Sequence, residues 1–210
     1  MGEAQEELEK AEHAAHASGV NKQVALMIAV MALFLSLSEM LGKSANTEAI
    51  ALNIKVSDTW SFFQAKTIRR TIVEAAAEAM KVERATVRAT ADGIKLADLN
   101  EDNDPIKAAS KQIAIWEQTA ARYRSEPDKQ EGTIELQKRA EATEHERDTA
   151  LARYHNYEIA SAAFQIGIVL CSAAVITGMI LLAWIAGGVA ILGMTFTALG
   201  LIAPHALHLG

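Results

Sequence analysis

Apolar residues follow two rhythms along this chain. At residues 24–38 and 159–203 they run almost unbroken, and the second run passes 45 residues without an Asp, Glu, Lys or Arg. Between the two runs they recur every three or four positions, the spacing of one helix face. A bilayer core is crossed by about 20 apolar helical residues, and the 45-residue run at roughly 1.5 Å per residue would extend about 68 Å. The long run therefore predicts two spans, and the short run predicts one, at 23–41, with Asn21 as its N-cap after the breaker pair Ser18-Gly19. Residues 159–203 hold spans two and three, divided at about 182–188, where Trp184 favours an interface and Gly187-Gly188 permits a reversal. Pro204 ends the last helix and leaves 204–210 as a tail.

The middle segment, 42–158, reads as two helical arms. In the outgoing arm Ala65, Ile68, Ile72, Ala75, Ala79, Val82, Thr86, Ala89, Gly93 and Leu96 alternate at spacings of three and four, a heptad seam. A flanking row of Val73, Ala76, Met80, Val87 and Ile94 widens the apolar face. Asp98 to Pro105 is rich in Asn, Asp and Pro, which is turn chemistry, and predicts a hairpin tip. The returning arm has its own seam in Ile106, Ala109, Ile113, Trp116, Ala120 and Tyr123, breaks at Ser125-Glu126-Pro127, and resumes past Gly132 as Leu136, Ala140, Thr143, Arg147, Ala150, Tyr154 and Tyr157. Arms of matched length predict an antiparallel, coiled-coil-like hairpin outside the bilayer. The fold class is thus all-α, an integral membrane protein with three transmembrane helices and that hairpin.

Charge refines the picture. Of the 20 Lys and Arg, 18 lie from Lys43 to Arg153, so the segment between the apolar runs is the water-facing one. A net charge of -6 with no basic stripe argues against a nucleic-acid partner. Residues 1–22 carry five Glu against Lys10 and Lys22, which is not the basic flank of a secretory signal, so the first span is expected to be an uncleaved anchor. Cys171 is the single cysteine, which excludes an intrachain disulfide and a Cys-based zinc site.

The segment Asp58-Thr59-Trp60-Ser61-Phe62-Phe63-Gln64-Ala65-Lys66-Thr67-Ile68 resembles a pattern of a bacterial membrane family known as domain of unknown function 4337. The layout of one membrane helix, a long helical middle and a closing pair of membrane helices is similar too. The resemblance implies a bacterial envelope protein, with the inner (plasma) membrane as the expected location, and supplies no activity. Relatives tend to carry basic residues between the last two spans, whereas 182–188 holds none here. The resemblance leans to an external hairpin, while Lys43, Lys55, Arg147 and Arg153 near the spans lean to a cytoplasmic one.

Candidate chemistry is sparse. His13 and His16 at one end, and His205 and His208 at the other, share a one-turn spacing, but a zinc site needs three or four ligands. Asp98, Asn100 and Asp102 match the opening of a calcium loop, but Asn103 replaces the required Gly and Ala109 replaces the bidentate Glu. No catalytic, cofactor or metal residues are assigned, and the expectation is a protein that is not an enzyme. Glu39 is an acid at the edge of the first span, and Gln165 is the amide within the second. Glu39 reads as a headgroup-boundary residue in an i,i+4 pair with Lys43 or as a buried carboxylate, Gln165 as an interhelical hydrogen-bonding group, and either as a residue lining a pore.

These readings converge on a membrane-anchored scaffold or interaction protein that self-associates through its hairpin. Its partners are the lipid bilayer, copies of itself and an unidentified protein. The expected packing residues are Trp60, Phe62, Phe63, Ile68, Ile72, Ala75, Ala79, Val82, Ile113 and Trp116, with the aromatic group as a collar. The alternative is a homo-oligomeric pore with Glu39 and Gln165 on its axis.

Overall fold

The computed structural model describes the backbone of residues 2–93 and 105–206, and the side chains of residues 22–88 and 106–206. The described residues form four helices and no strand: α1 (Gly2–Gly93), α2 (Pro105–Arg124), α3 (Thr133–Thr177) and α4 (Ile180–Ile202). Three of them, α1, α3 and α4, contain stretches long and apolar enough to cross a membrane. The predicted tip from Asp98 to Asp104 and the side chains of His13, His16, Ala89, Leu96, Pro105 and His208 lie outside the described residues.

Two expectations about helix limits are corrected. α1 passes through Ser18, Gly19 and Asn21 without a break, so Asn21 is not its N-cap. One glycine in a helix costs only about 1 kcal/mol relative to alanine, and the flanking Ala and Glu residues are good helix formers. The reversal between the last two apolar stretches is not at Gly187-Gly188, which lie inside α4, but at Gly178-Met179. Gly178 takes φ +70, the left-handed conformation that ends helices and that a side chain resists. The change evens out the two segments, which become 159–177 and the 23 residues of α4.

The chain divides into two compact units. The first, Met1–Ala51 with Glu146–Gly210, holds the three apolar stretches and is called the span unit. The second, Leu52–His145, is the arm unit.

In the span unit, α3 runs antiparallel to α1 and α4 antiparallel to α3. Met31 lies against Gly167 and Gly42 against Tyr157, while Gly193 lies against Phe164 and Gly200 against Tyr157. Small residues make these approaches close: a methyl group on Gly193 would meet the Phe164 ring at 2.9 Å, and one on Gly200 would meet Tyr157 at 2.7 Å. The core is Val24, Met31, Ala160, Phe164, Cys171, Ala186 and Ala190, with Phe34 stacked on Phe164 at 5.9 Å. The Asn156 amide donates to the Pro204 carbonyl at 3.1 Å and ties the end of α4 to α3.

In the arm unit, α2 and the start of α3 pack on α1 in antiparallel order. Arg84 reaches Ser110, Lys81 reaches Glu117, Lys66 reaches Glu126 and Glu131, and Trp60 reaches Glu144. The seams expected in the returning arm face inward, with Ile113, Ala120, Leu136 and Ala140 buried. The seam expected in the outgoing arm does not. Ile68, Ile72 and Val82 are 60%, 62% and 67% exposed, and Ala65, Ala75 and Ala79 are exposed as well. The face of α1 turned to α2 and α3 is instead Thr59, Phe63, Lys66, Arg70, Val73, Ala77, Met80 and Arg84, also spaced by three and four. Ion pairs and hydrogen bonds, not a continuous apolar strip, close this part of the hairpin.

Candidate functional site

The distinctive segment Asp58 to Ile68 has a structural centre at Lys66. Its side chain is 7% exposed, with Nζ 3.5 Å from Glu126 and 3.4 Å from Glu131, and 5.5 and 5.6 Å from the ring centres of Phe62 and Tyr123. A buried ammonium requires such a ring of carboxylates and aromatic faces, since desolvation otherwise costs several kcal/mol. Lys66 thereby gathers α1, the end of α2 and the connection before α3 around one charge. The aromatic group divides its work around it. The Trp60 indole N–H donates to Glu144 at 2.9 Å and packs edge-on to Phe63 at 5.2 Å, while Phe62 faces Lys66. These contacts lie within one chain, as do those of buried Ile113.

The connection at 125–132 is fixed by local chemistry. The Ser125 hydroxyl donates to Glu135 at 2.7 Å and the Glu126 backbone N–H donates to the same carboxylate at 3.3 Å. The Ser125 bond holds the Glu135 carboxyl below its ordinary pKa. Gly132 has no room for a side chain, since a methyl group would stand 2.6 Å from Ser125 Cα. Lys81, between Glu78 at 2.6 Å and Glu117 at 2.8 Å, is held above the ordinary lysine pKa by those carboxylates, Glu117 first.

On the other side of α1 the apolar row Ile68, Ile72, Ala75, Ala79 and Val82 has no partner among the described residues. It is the arm unit's candidate interaction face.

In the span unit the polar groups form one level. Ser38 and Thr197 are buried and hydrogen-bonded at 3.0 Å. Thr197 also donates to the Gly193 carbonyl at 2.9 Å, which makes Ser38 the donor of the pair. Beside them, on the outer surface, the Gln165 amide donates to Glu39 at 3.4 Å. Gln165 stands six residues into the charge-free run, roughly 9 Å along the helix axis. The structure thus brings together the two polar residues singled out in the sequence, and exposes both. Gly187 and Gly188, no longer a turn, floor an apolar groove of about 510 Å³ between residues 23–27 of α1 and the first half of α4, with Trp184 and Met27 beside it.

The outer surface of α1 in this unit has two stripes that the sequence reading passed over. Leu26, Val30, Leu33, Leu37 and Met40 form one, large and apolar. Ala25, Ala29, Ala32, Ser36, Glu39 and Lys43 form the other, small and polar, and all of them are exposed. Both follow the three-four spacing, about 100° apart on the helix. The signal was present in the sequence but was hidden by the overall apolarity of the segment.

His205 meets Thr149 at 3.0 Å, and no group of three His, Cys, Asp or Glu among the described residues is placed to hold a metal. No curated protein and no solved structure matches the chain. A family model does match, over residues 20–203, which takes in most of both units, α1 from residue 20 onward and the other three helices. The chain belongs to the family described as Domain of unknown function (DUF4337).

Proposed function

We propose that this protein is a non-enzymatic, membrane-anchored scaffold of the bacterial inner membrane that assembles with copies of itself through its hairpin. The observation that carries this reading is the uncovered row Ile68, Ile72 and Val82, each more than half exposed in the charged, water-facing part of the chain. Fully covering an aliphatic side chain of this size stabilises by about 1.5–3 kcal/mol, so three in one row provide a driving force for association. Ala75 and Ala79 between them let a second helix approach closely.

Mass photometry of the protein in lipid nanodiscs tests the reading. The native chain should be an oligomer, and an Ile72→Glu, Val82→Glu chain should shift toward monomer. A monomeric native chain at micromolar concentration would sink the proposal. A pore is the second reading, supported by the exposed pair Glu39 and Gln165 on the apolar unit. Ion flux into liposomes that falls with Glu39→Ala would favour it, and an absence of flux would count against it.

A further inference from the structure

We infer that a second copy of this chain packs in parallel against the small, polar stripe of α1 in the span unit, with Lys43 of each copy meeting Glu39 of the other. The inference rests on the homo-oligomer reading above and gives it an intramembrane interface.

Two outer stripes of one helix cannot suit the same surroundings. Lipid tails accommodate the large stripe that includes Leu33. They offer nothing to a carboxylate and an amide, and an acid facing hydrocarbon costs a few kcal/mol even on the lenient insertion scale. Glu39 and Gln165 satisfy each other with a single 3.4 Å contact. One carboxylate oxygen and one amide hydrogen remain for another partner. The surface around them is shaped for a helix, because Ala29, Ala32 and Ser36 allow backbones to come close, as small residues do between membrane helices.

A second copy has the matching chemistry. Lys43 lies one turn beyond Glu39 on the same stripe, and neither has an ion-pair partner among the described residues. Copies inserted in one bilayer in the same sense carry α1 in parallel. Each stripe residue then faces its own counterpart across a two-fold axis. Four residues of helix rise about 6 Å, a distance a lysine side chain covers, so each Lys43 reaches the opposite Glu39. Glu39 then stands level with Glu39 and Lys43 with Lys43, and the two diagonal pairs of Lys43 with Glu39 offset these like-charge contacts, with the free Gln165 hydrogens beside them.

The test is disulfide capture in lipid, with the full-length chain in a Cys171→Ala background carrying either Ala32→Cys on the small stripe or Leu33→Cys on the large one. Ala32→Cys should form crosslinked dimer about tenfold more efficiently than Leu33→Cys, the selectivity that 1–2 kcal/mol of helix contact gives. Equal or inverted yields would overturn the inference. The charge pairing has its own test: Glu39→Lys and Lys43→Glu should each lower capture at Ala32→Cys, and the double exchange should restore it. Low capture in the double exchange would overturn the pairing and favour a different protein on this face. Mass photometry of the Cys171→Ala chain separates the two proposals. An oligomer without capture removes the stripe alone, whereas a monomer removes the scaffold reading as well.

Discussion

In the span unit Phe164 meets Gly193 and Tyr157 meets Gly200, whereas in the arm unit Lys66 meets Glu126 and Glu131. The same two helices, α1 and α3, contribute to both units, so secondary structure does not distinguish them. The environment does. In the span unit, proposed above to lie in lipid as apolar as the helices themselves, helices are held by close packing over glycine and alanine and by neutral hydrogen bonds such as Ser38 to Thr197 and Asn156 to Pro204. In the arm unit their ends and partners are selected by charge, and Ile68, Ile72 and Val82 are left uncovered.

The largest effect expected from breaking this contrast is at Lys66. Lys66→Ala removes a buried ammonium from two carboxylates and two rings and should destabilise the arm unit by about 2–4 kcal/mol. Hydrogen exchange read by mass spectrometry should show faster exchange across 106–124 and unchanged exchange across 180–202. Equal acceleration in both regions would mean the two units are not separately held. Next comes Gly132→Ala, where the added methyl meets backbone and should cost roughly 1–3 kcal/mol, seen as a lower thermal midpoint for the arm.

Ser38→Ala sharpens the other side. Interhelical hydrogen bonds in membranes average about 0.6 kcal/mol, so the loss should be under about 1 kcal/mol in a steric-trap or detergent-unfolding measurement. A loss comparable to Lys66→Ala would contradict the packing account of the span unit. The smallest effect is with pH. The folded-state pKa of Glu135 is depressed by the Ser125 hydroxyl, so its contribution is present above the ordinary carboxylate range and is lost as pH falls through the lowered value. The protection of amides at 125–135, with the intrinsic pH dependence of exchange divided out, should therefore fall under acid, and Ser125→Ala should remove that dependence. For Lys81, held above its ordinary value, the contribution is complete below that value and fades only in strong alkali.

Much of the architecture was legible because it rests on crude signals. Forty-five residues without a charge have few places to be, and the Ser-Glu-Pro and Gly punctuation of 125–132 interrupts the returning arm where it was read. Family membership was visible in Asp58 to Ile68, although not what Lys66 does there. What escaped has a common physical source. The most apolar row of the outgoing arm was read as a packing surface, and within one chain Ile68, Ile72 and Val82 stay uncovered, since apolarity says that a surface wants covering and not which molecule covers it. The inner face, with Lys66, Arg70 and Arg84, is legible only once their carboxylate partners in the 125–132 connection and their hydroxyl partners in α2 and α3 are known. Likewise the glycine pair at 187–188 looked like a turn, yet glycine is tolerated inside an apolar helix without a reversal, and here the pair faces an open groove. The three-way division of α1 escaped notice because Ala and Leu count alike in a hydropathy sum while differing in how near they let a neighbour come.

The enclosure of Lys66 also makes it a timer. Acylating reagents and trypsin need an accessible amine, and Lys129, 68% exposed on the connection nearby, offers one while Lys66 does not. Any event that opens the arm would uncover Lys66 and leave Lys129 as it was. The ratio of modification at these two lysines, measured in intact cells, would report how often the hairpin breathes in its native setting, with no label added to the chain.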